Sequence, residues 1–313
     1  MADCTFTDAL TGDVVGFDYA TGSVEVDRSS AGHVDDSCTS LFFPGCSFIN
    51  YAMPLVPAVH DLLHKAGAVD GISILCCGKI LSYEEDGAQV REAFECQLRD
   101  HIALMQPERI VCACPNCVRA LREALSLDSR TKDVQLVALP EVLADLGYRL
   151  DAQTCARMIK GSVDAPVLLC PHDSCPDREW GAFADGLRAL LPEGCWQDPE
   201  HCRNRSVCCG SLPRAAGKTA QADKCAHLCG QESEAVGADA IVCACMSCTF
   251  QLNMAQPYLQ CVHYLELLFS WRIDWSRVGA WMKLRFLFED TPGQATESGR
   301  SFDGLTNAVK EQQ

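Results

Sequence analysis

The chain has 313 residues, of which 48% are hydrophobic and 22% charged, with a formal net charge of −16. That length suits two ordinary domains and a core stable without disulfides, while the acidic excess repels phosphate backbones and argues against nucleic acid as a partner. Residues 1–10 have neither a basic region nor an apolar run, no stretch of 18 apolar residues occurs, and 22 cysteines are present. The expectation is a cytoplasmic protein without a membrane span, whose thiols are reduced and bind metal.

Residues 1–38 form an acidic N-terminal arm with Asp3, Asp8, Asp13, Asp18, Glu25, Asp27, Asp35 and Asp36 against one Arg28. It reads as weakly structured, with a hairpin near 20–22. The first unit, 39–150, opens with a short apolar strand at 41–43 and a helix over 54–66. A buried strand at 71–75 (GISIL) runs into Cys76-Cys77-Gly78. A helix over 88–105, a strand at 109–113 (RIVCA), a helix from Pro115 to Leu125, a strand at 134–139 and a helix opening at Pro140 complete it.

The second unit, 151–288, repeats this order. A strand at 167–170 (VLLC) leads to Pro171-His172-Asp173-Ser174-Cys175, and a helix covers 179–191. Ser206-Val207 runs into Cys208-Cys209-Gly210, a helix spans 220–236, and a strand at 240–244 (AIVCA) matches RIVCA. The segment 262–269 parallels 138–146, and a closing helix spans about 267–288. Residues 289–313 form a polar C-terminal tail. Strands alternating with helices predict an α/β fold: two tandem, similar βαβ-based domains with short parallel sheets, related by a pseudo-two-fold axis.

The cysteines carry the chemistry. Cys76-Cys77-Gly78 is followed after 35 residues by Cys114-Pro-Asn-Cys117, and Cys208-Cys209-Gly210 after 34 residues by Cys245-Met-Ser-Cys248. Thiolates suit zinc, Cu(I) and iron–sulfur clusters. Cys-x-x-Cys at a strand-to-helix junction puts two sulfurs on one side of a turn and aims helix N–H groups at the same spot. Adjacent strand residues point to opposite faces, so both sulfurs of a Cys-Cys pair reach one site only if the chain bends, at Gly78 or Gly210. Upstream, 29 residues separate Cys46 from Cys76; 32 separate Cys175 from Cys208, and 37 separate Cys170 from Cys208. With one upstream cysteine, each unit offers five thiolates, which fits a multi-iron cluster better than a four-coordinate zinc.

This pattern resembles the cysteine-rich CCG domain found in heterodisulfide reductase and its relatives, over residues 41–270 and in both copies. The family's second copy typically follows His-Asp-Pro-Cys, which selects Cys175 over Cys170. The departures are a short first spacer, Ser174 for Pro, the acidic arm and an insertion around Cys195 to Cys202. The resemblance implies two noncubane [4Fe–4S] clusters. Cys46, Cys76, Cys77, Cys114 and Cys117 would hold the first, and Cys175, Cys208, Cys209, Cys245 and Cys248 the second, with no catalytic residue apart from these. It further implies reduction of a small disulfide, or oxidation of thiols, lodged between the clusters. No ferredoxin run or flavin fingerprint is present, so electrons would come from another polypeptide; the resemblance implies a ferredoxin-like iron–sulfur subunit, with a flavoprotein as a further member.

Two rival readings remain open. One is a CCG-type relay subunit of a lactate-, glycolate- or quinone-linked oxidoreductase. The other is a zinc-stabilised structural protein. Cys112 and Cys243, in matching Cys-Ala-Cys-x-x-Cys runs, read mainly as small buried hydrophobes. Cys225, His227 and Cys229, and Cys195, His201 and Cys202, lack a strong zinc spacing. Residues 267–288 carry Trp271, Trp275 and Trp281 among Arg272, Arg277, Lys283 and Arg285, giving either a packed closing helix or a docking surface for a partner subunit or membrane-associated complex.

Overall fold

The computed structural model describes residues 4–18, 23–27, 38–83 and 87–275. The N-terminal segment departs from the sequence expectation. β1 (Cys4–Thr7), β2 (Val14–Asp18) and β3 (Ser23–Asp27) form an antiparallel sheet in the order β1-β2-β3. The expected hairpin tip falls on 19–22, outside the described residues. Phe6, Leu10, Val15 and Phe17 are buried in the core of the first unit. Asp8 fastens this sheet to that unit. Its carboxylate accepts the Leu10 N–H at 2.9 Å and the Thr11 N–H at 3.2 Å. It also accepts the Ser73 hydroxyl at 3.0 Å and the Ile74 N–H at 2.7 Å. The surrounding acidic residues obscure four inward-facing apolar side chains, and burying those four orders the arm.

The first unit runs β4 (Ser40–Phe43), α1 (Cys46–Ala52), α2 (Leu55–Lys65), β5 (Gly71–Ile72), α3 (Gly87–Met105), β6 (Arg109–Cys112), α4 (Pro115–Leu125), β7 (Gln135–Ala138) and α5 (Leu139–Asp145). Its four strands are parallel, in the order β5-β4-β6-β7. β4 is buried at every position, as expected of a parallel strand covered on both faces. β5 is shorter than the predicted strand at 71–75, because Asp8 takes the Ile74 N–H and the chain peels away towards Cys76. α1 is a helix the sequence pattern does not announce, and Cys46 is its first residue.

After α6 (Ala152–Lys160), the second unit runs β8 (Leu169–His172), α7 (Ala182–Leu190), α8 (Ser211–Ala215), α9 (Thr219–Ala235), β9 (Ala240–Cys243), α10 (Met246–Ala255), β10 (Gln260–His263) and α11 (Tyr264–Leu268). Its parallel sheet has the order β10-β9-β8. β8, β9 and β10 correspond to β4, β6 and β7. No strand matches β5 among the described residues; instead, Trp196 from the insertion makes a single parallel bridge to Leu169. The insertion therefore closes the sheet edge, and Ser206-Val207 makes no strand. β8 begins two residues later than the predicted strand and continues through Pro171 to His172.

The units dock through α5 against α7, and the Leu150 N–H donates to the Leu190 carbonyl at 2.7 Å. On the other side, Tyr51 of α1 stacks on Phe250 of α10 with ring centroids 4.9 Å apart. Trp275 packs 5.7 Å from Phe250. The expected closing helix over about 267–288 has no helical residue at 271–274, and its part beyond 275 lies outside the described residues. α11 ends at Leu268, and Glu266 turns the chain by accepting the N–H groups of His263 and Ile273, each at 2.8 Å. Trp281, the other residues of 276–288 and the tail at 289–313 lie outside the described residues. Among the described residues, no helix is long and apolar enough to cross a membrane.

Candidate metal centre

Each of the ten candidate ligand cysteines stands at a helix start or in the bend that leads into a helix. Cys46 begins α1 just past β4. Cys114 caps α4 just past β6, and Cys245 caps α10 just past β9. The Cys-Cys pairs sit on bends that turn at Gly78 and Gly210, with φ of 74° and 94°. These are left-handed conformations that glycine adopts without steric cost. In each copy the glycine N–H donates to the first cysteine of the pair, at 3.4 Å to Cys76 and 3.4 Å to Cys208. The bend thus does in both units what the Cys-Cys-Gly spelling predicts.

The thiols of the first unit influence one another in sequence: Cys46 acts on Cys76, Cys76 on Cys77, Cys77 on Cys117 and Cys117 on Cys114. The second unit repeats it. Cys175 lies 3.7 Å from Cys208, which meets Cys209; Cys209 meets Cys248, and Cys248 meets Cys245. The two runs meet at the unit boundary, where the Cys114 and Cys245 thiols shift each other's acidity. Contact between equivalent residues is what a two-fold relation between the units produces. The ten candidate cysteines thus fall into two runs of neighbouring thiols, one in each unit.

The electrostatics alternate along these chains. Hydrogen bonds from Cys117 and Cys245, together with the N–H groups of Cys117 and Asn116 at the start of α4, hold the Cys114 thiol well below its ordinary range. Its neighbour Cys117 is pushed well above. Cys77 is drawn down to about 6 by Cys117 and Cys76. For Cys76 the Cys46 hydrogen bond acts downward, but Cys77 and burial outweigh it and raise the thiol to about 12. In the second unit Cys208 is strongly lowered by Cys175 and Cys209, while Cys175 is raised by Cys208 and burial. Buried thiols this close cannot all ionise without a cation between them. The donor set therefore fits an iron–sulfur or other metal cofactor, whose charge would favour thiolate at every position.

Neighbouring polar groups point the same way. The Ser47 hydroxyl lies 3.9 Å from the Cys114 sulfur, and the Ser174 hydroxyl 3.6 Å from that of Cys248. Ser174 is the departure from the Pro of the resembled pattern, and it makes a contact that proline cannot. Asp173 beside it forms a buried bidentate ion pair with Arg188 at 2.8 and 2.7 Å, which fixes the loop carrying Cys175.

A cavity of about 120 Å³ lies against the first set. Cys46, Cys77, Cys114 and Cys117 line it, but the second unit contributes Ser211, Arg214 and Phe250 rather than its sulfurs. The side chain of Lys79 is a second cation on the wall.

The remaining cysteines fall elsewhere. Cys112 and Cys243 are fully buried; Cys112 approaches the Ile110 carbonyl at 3.8 Å, and Cys243 lies 3.4 Å from Cys261. Cys170 is fully buried on β8, where burial pushes its thiol up to about 12. His201 is engaged by Glu232, with Nδ1 2.5 Å from Oε1, rather than by Cys195 or Cys202. His227 packs edge-on against Tyr258.

One residue has no role assigned by the sequence pattern. A ring nitrogen of His172 lies within 4.8 Å of both the Cys209 and the Cys248 sulfur, and its Nε2 is buried without a hydrogen-bond partner. The available signal was its place three residues before Cys175, where the first copy has Phe43 before Cys46.

Comparison with known proteins agrees with the duplication. Residues 40–122 and 194–253 match the family of the CCG cysteine-rich domain. These segments contain nine of the ten cysteines; Cys175 lies outside them. The match supports an iron–sulfur electron-transfer role. No curated protein matches the chain. Among solved structures, glutamate racemase isoform RacE1 from Bacillus anthracis covers 73% of this chain and 77% of its own, at 11% identity and a TM-score of 0.33, too weak a likeness to carry an argument.

Proposed function

We propose that this chain is the iron–sulfur subunit of a heterodisulfide-reductase-like complex, acting on a small disulfide or its thiols. Cys46, Cys76, Cys77, Cys114 and Cys117 would hold one [4Fe–4S] cluster of the noncubane type, and Cys175, Cys208, Cys209, Cys245 and Cys248 another. The observation that carries this reading is the meeting of the two runs of thiols at Cys114 and Cys245, beside a cavity walled by the first run. Such clusters would supply electrons and iron sites with affinity for sulfur.

The rest of the chemistry belongs to the chain. Two electrons and two protons convert one disulfide into two thiols, and the electrons would arrive from a ferredoxin-like subunit, with a flavoprotein behind it. The sulfurs of Cys46, Cys77, Cys114 and Cys117 present the reducing site to the cavity. Lys79 and Arg214 add positive charge to its wall. Arg214 is held by Gln251 at 2.9 Å and by Asp223. Tyr51 and Phe250 close the apolar side.

The cavity also favours a second reading. Its volume of about 120 Å³ admits only the end of a substrate, well under the roughly 300 Å³ at which small-molecule pockets begin. A relay subunit of a lactate-, glycolate- or quinone-linked oxidoreductase needs no substrate cavity at all. Adding thiols and disulfides to anaerobically reduced protein separates the two. A substrate-processing subunit shows a thiol-induced change in its EPR spectrum and turns over disulfide with an artificial electron donor. A relay subunit shows neither.

A further inference from the structure

The duplication supplies an internal comparison. β4 pairs with β6 so that Phe43 faces Cys112, and β8 pairs with β9 so that His172 faces Cys243. Phe43 and His172 therefore occupy one structural position, each three residues before the upstream cysteine of its set. In the first unit this position is a fully buried apolar ring. In the second it is an imidazole only 7% exposed.

His172 has an unmet requirement. Its Nε2 is buried with no partner, a condition that is destabilising unless something supplies one. Its neighbour Asp173 is committed to Arg188 and to the Arg203 N–H at 2.6 Å. An imidazole, neutral or protonated, has at least one ring N–H to donate. The Cys209 and Cys248 sulfurs lie within 4.8 Å of a ring nitrogen, so the ring stands beside whatever sulfide those cysteines help to hold.

We propose that His172 is a positioning residue that donates an N–H···S hydrogen bond into the second cysteine set, so that the two iron–sulfur sites differ in potential and the second is the higher. The inference rests on the cluster reading above. Hydrogen bonds to cluster sulfurs stabilise the more negative, reduced state and so raise its potential. The first site has Phe43 at this position and lacks this bond. It is therefore the stronger reductant, and its sulfurs are the ones that line the cavity. The asymmetry places the stronger reductant where a substrate would enter.

The test is an anaerobic potentiometric titration of the full chain followed by EPR, with iron and sulfide counted on each sample. Wild type is expected to show two waves. His172→Phe, which copies the first unit, should shift the higher wave down towards the lower while iron and sulfide stay at wild-type levels. His172→Gln, which keeps an amide N–H, should hold the wave near its original position. If Phe is not accommodated, His172→Leu, which also has no donor, should give the same downward shift. Unchanged waves in a fully loaded donor-less variant overturn the inference alone, as does a single wave in wild type. Selective loss of iron from the second site would make His172 a ligand and also overturn it. A wild type without iron and sulfide overturns this inference and the cluster reading together.

Discussion

Cys114 and Cys245, equivalent residues of the two copies, perturb each other's thiol across the boundary between the units, Cys114 downward and Cys245 upward. Each caps the helix that follows a buried parallel strand, α4 after β6 and α10 after β9. Docking of α5 on α7 and of Tyr51 on Phe250 holds those helix starts together. The ten sulfurs therefore form one body rather than two isolated sites. That arrangement favours a two-cluster redox subunit over two structural zinc knots.

The choice of Cys175 as the fifth donor of the second set can be checked directly. Its sulfur lies 3.7 Å from Cys208, whereas Cys170 is fully buried on β8. Cys175→Ser should lower iron to about half of wild type by emptying the second set, in line with the loss expected when a soft ligand is removed. Cys170→Ala should leave iron unchanged. Metal analysis of both variants, purified anaerobically, decides the matter; the reverse pattern would move the ligand to Cys170.

Gly45 should resist substitution for two reasons. Its φ is 78°, and a Cβ there would stand 2.7 Å from the Cys117 sulfur. Gly45→Ala is expected to cost about 1–3 kcal/mol in backbone strain and to displace Cys117, reducing iron in the first set only. Denaturant melts with parallel iron counts test this. A variant of wild-type stability and iron content would show that the bend is not tight.

The Asp173–Arg188 ion pair is buried at both ends, with side-chain exposures of 2% and 5%. Asp173→Ala leaves the guanidinium with Asp198 as its remaining carboxylate, besides the Ala184 carbonyl. The expected loss is about 3 kcal/mol, read as a lower urea midpoint with unchanged slope. A shift of a few tenths would mean that Asp198 carries the charge alone.

Asp8 gives the fold a pH dependence. Burial raises its carboxyl from 3.8 to about 6, against the opposing hydrogen bonds from Ile74, Leu10, Ser73 and Thr11. Between those values the folded state binds more protons than the unfolded, so stability falls as pH rises from about 4 to about 6, by roughly 3 kcal/mol. Asp8→Asn has no carboxyl to ionise at this position. Urea unfolding at several pH values should show the wild-type slope flattened in the variant; an unchanged slope would assign the titration to another group.

Much of this architecture is legible in the sequence because parallel strands buried on both faces are spelled as short apolar runs. RIVCA and AIVCA each give a strand followed by a capping cysteine, and Pro115 marks the start of α4 where it was expected. The Cys-Cys-Gly bends are legible too, since only glycine takes the required φ without strain. Three features were hidden. The N-terminal sheet depends on only four buried apolar side chains among many acids, and no local pattern reveals that Phe6 and Phe17 pack on the first unit. Trp196 replaces a strand from within an insertion, so the sheet edge does not follow the repeat. His172 is inconspicuous until the register of β8 with β9 sets it in the place that Phe43 holds in the other copy.

The central claim is that the ten cysteines hold two iron–sulfur clusters. The most direct test is an iron and acid-labile sulfide count on protein prepared without oxygen. The account predicts brown protein with about eight iron and eight sulfide per chain, four of each for every [4Fe–4S] cluster. Colourless protein with about one zinc per unit and no labile sulfide would contradict it.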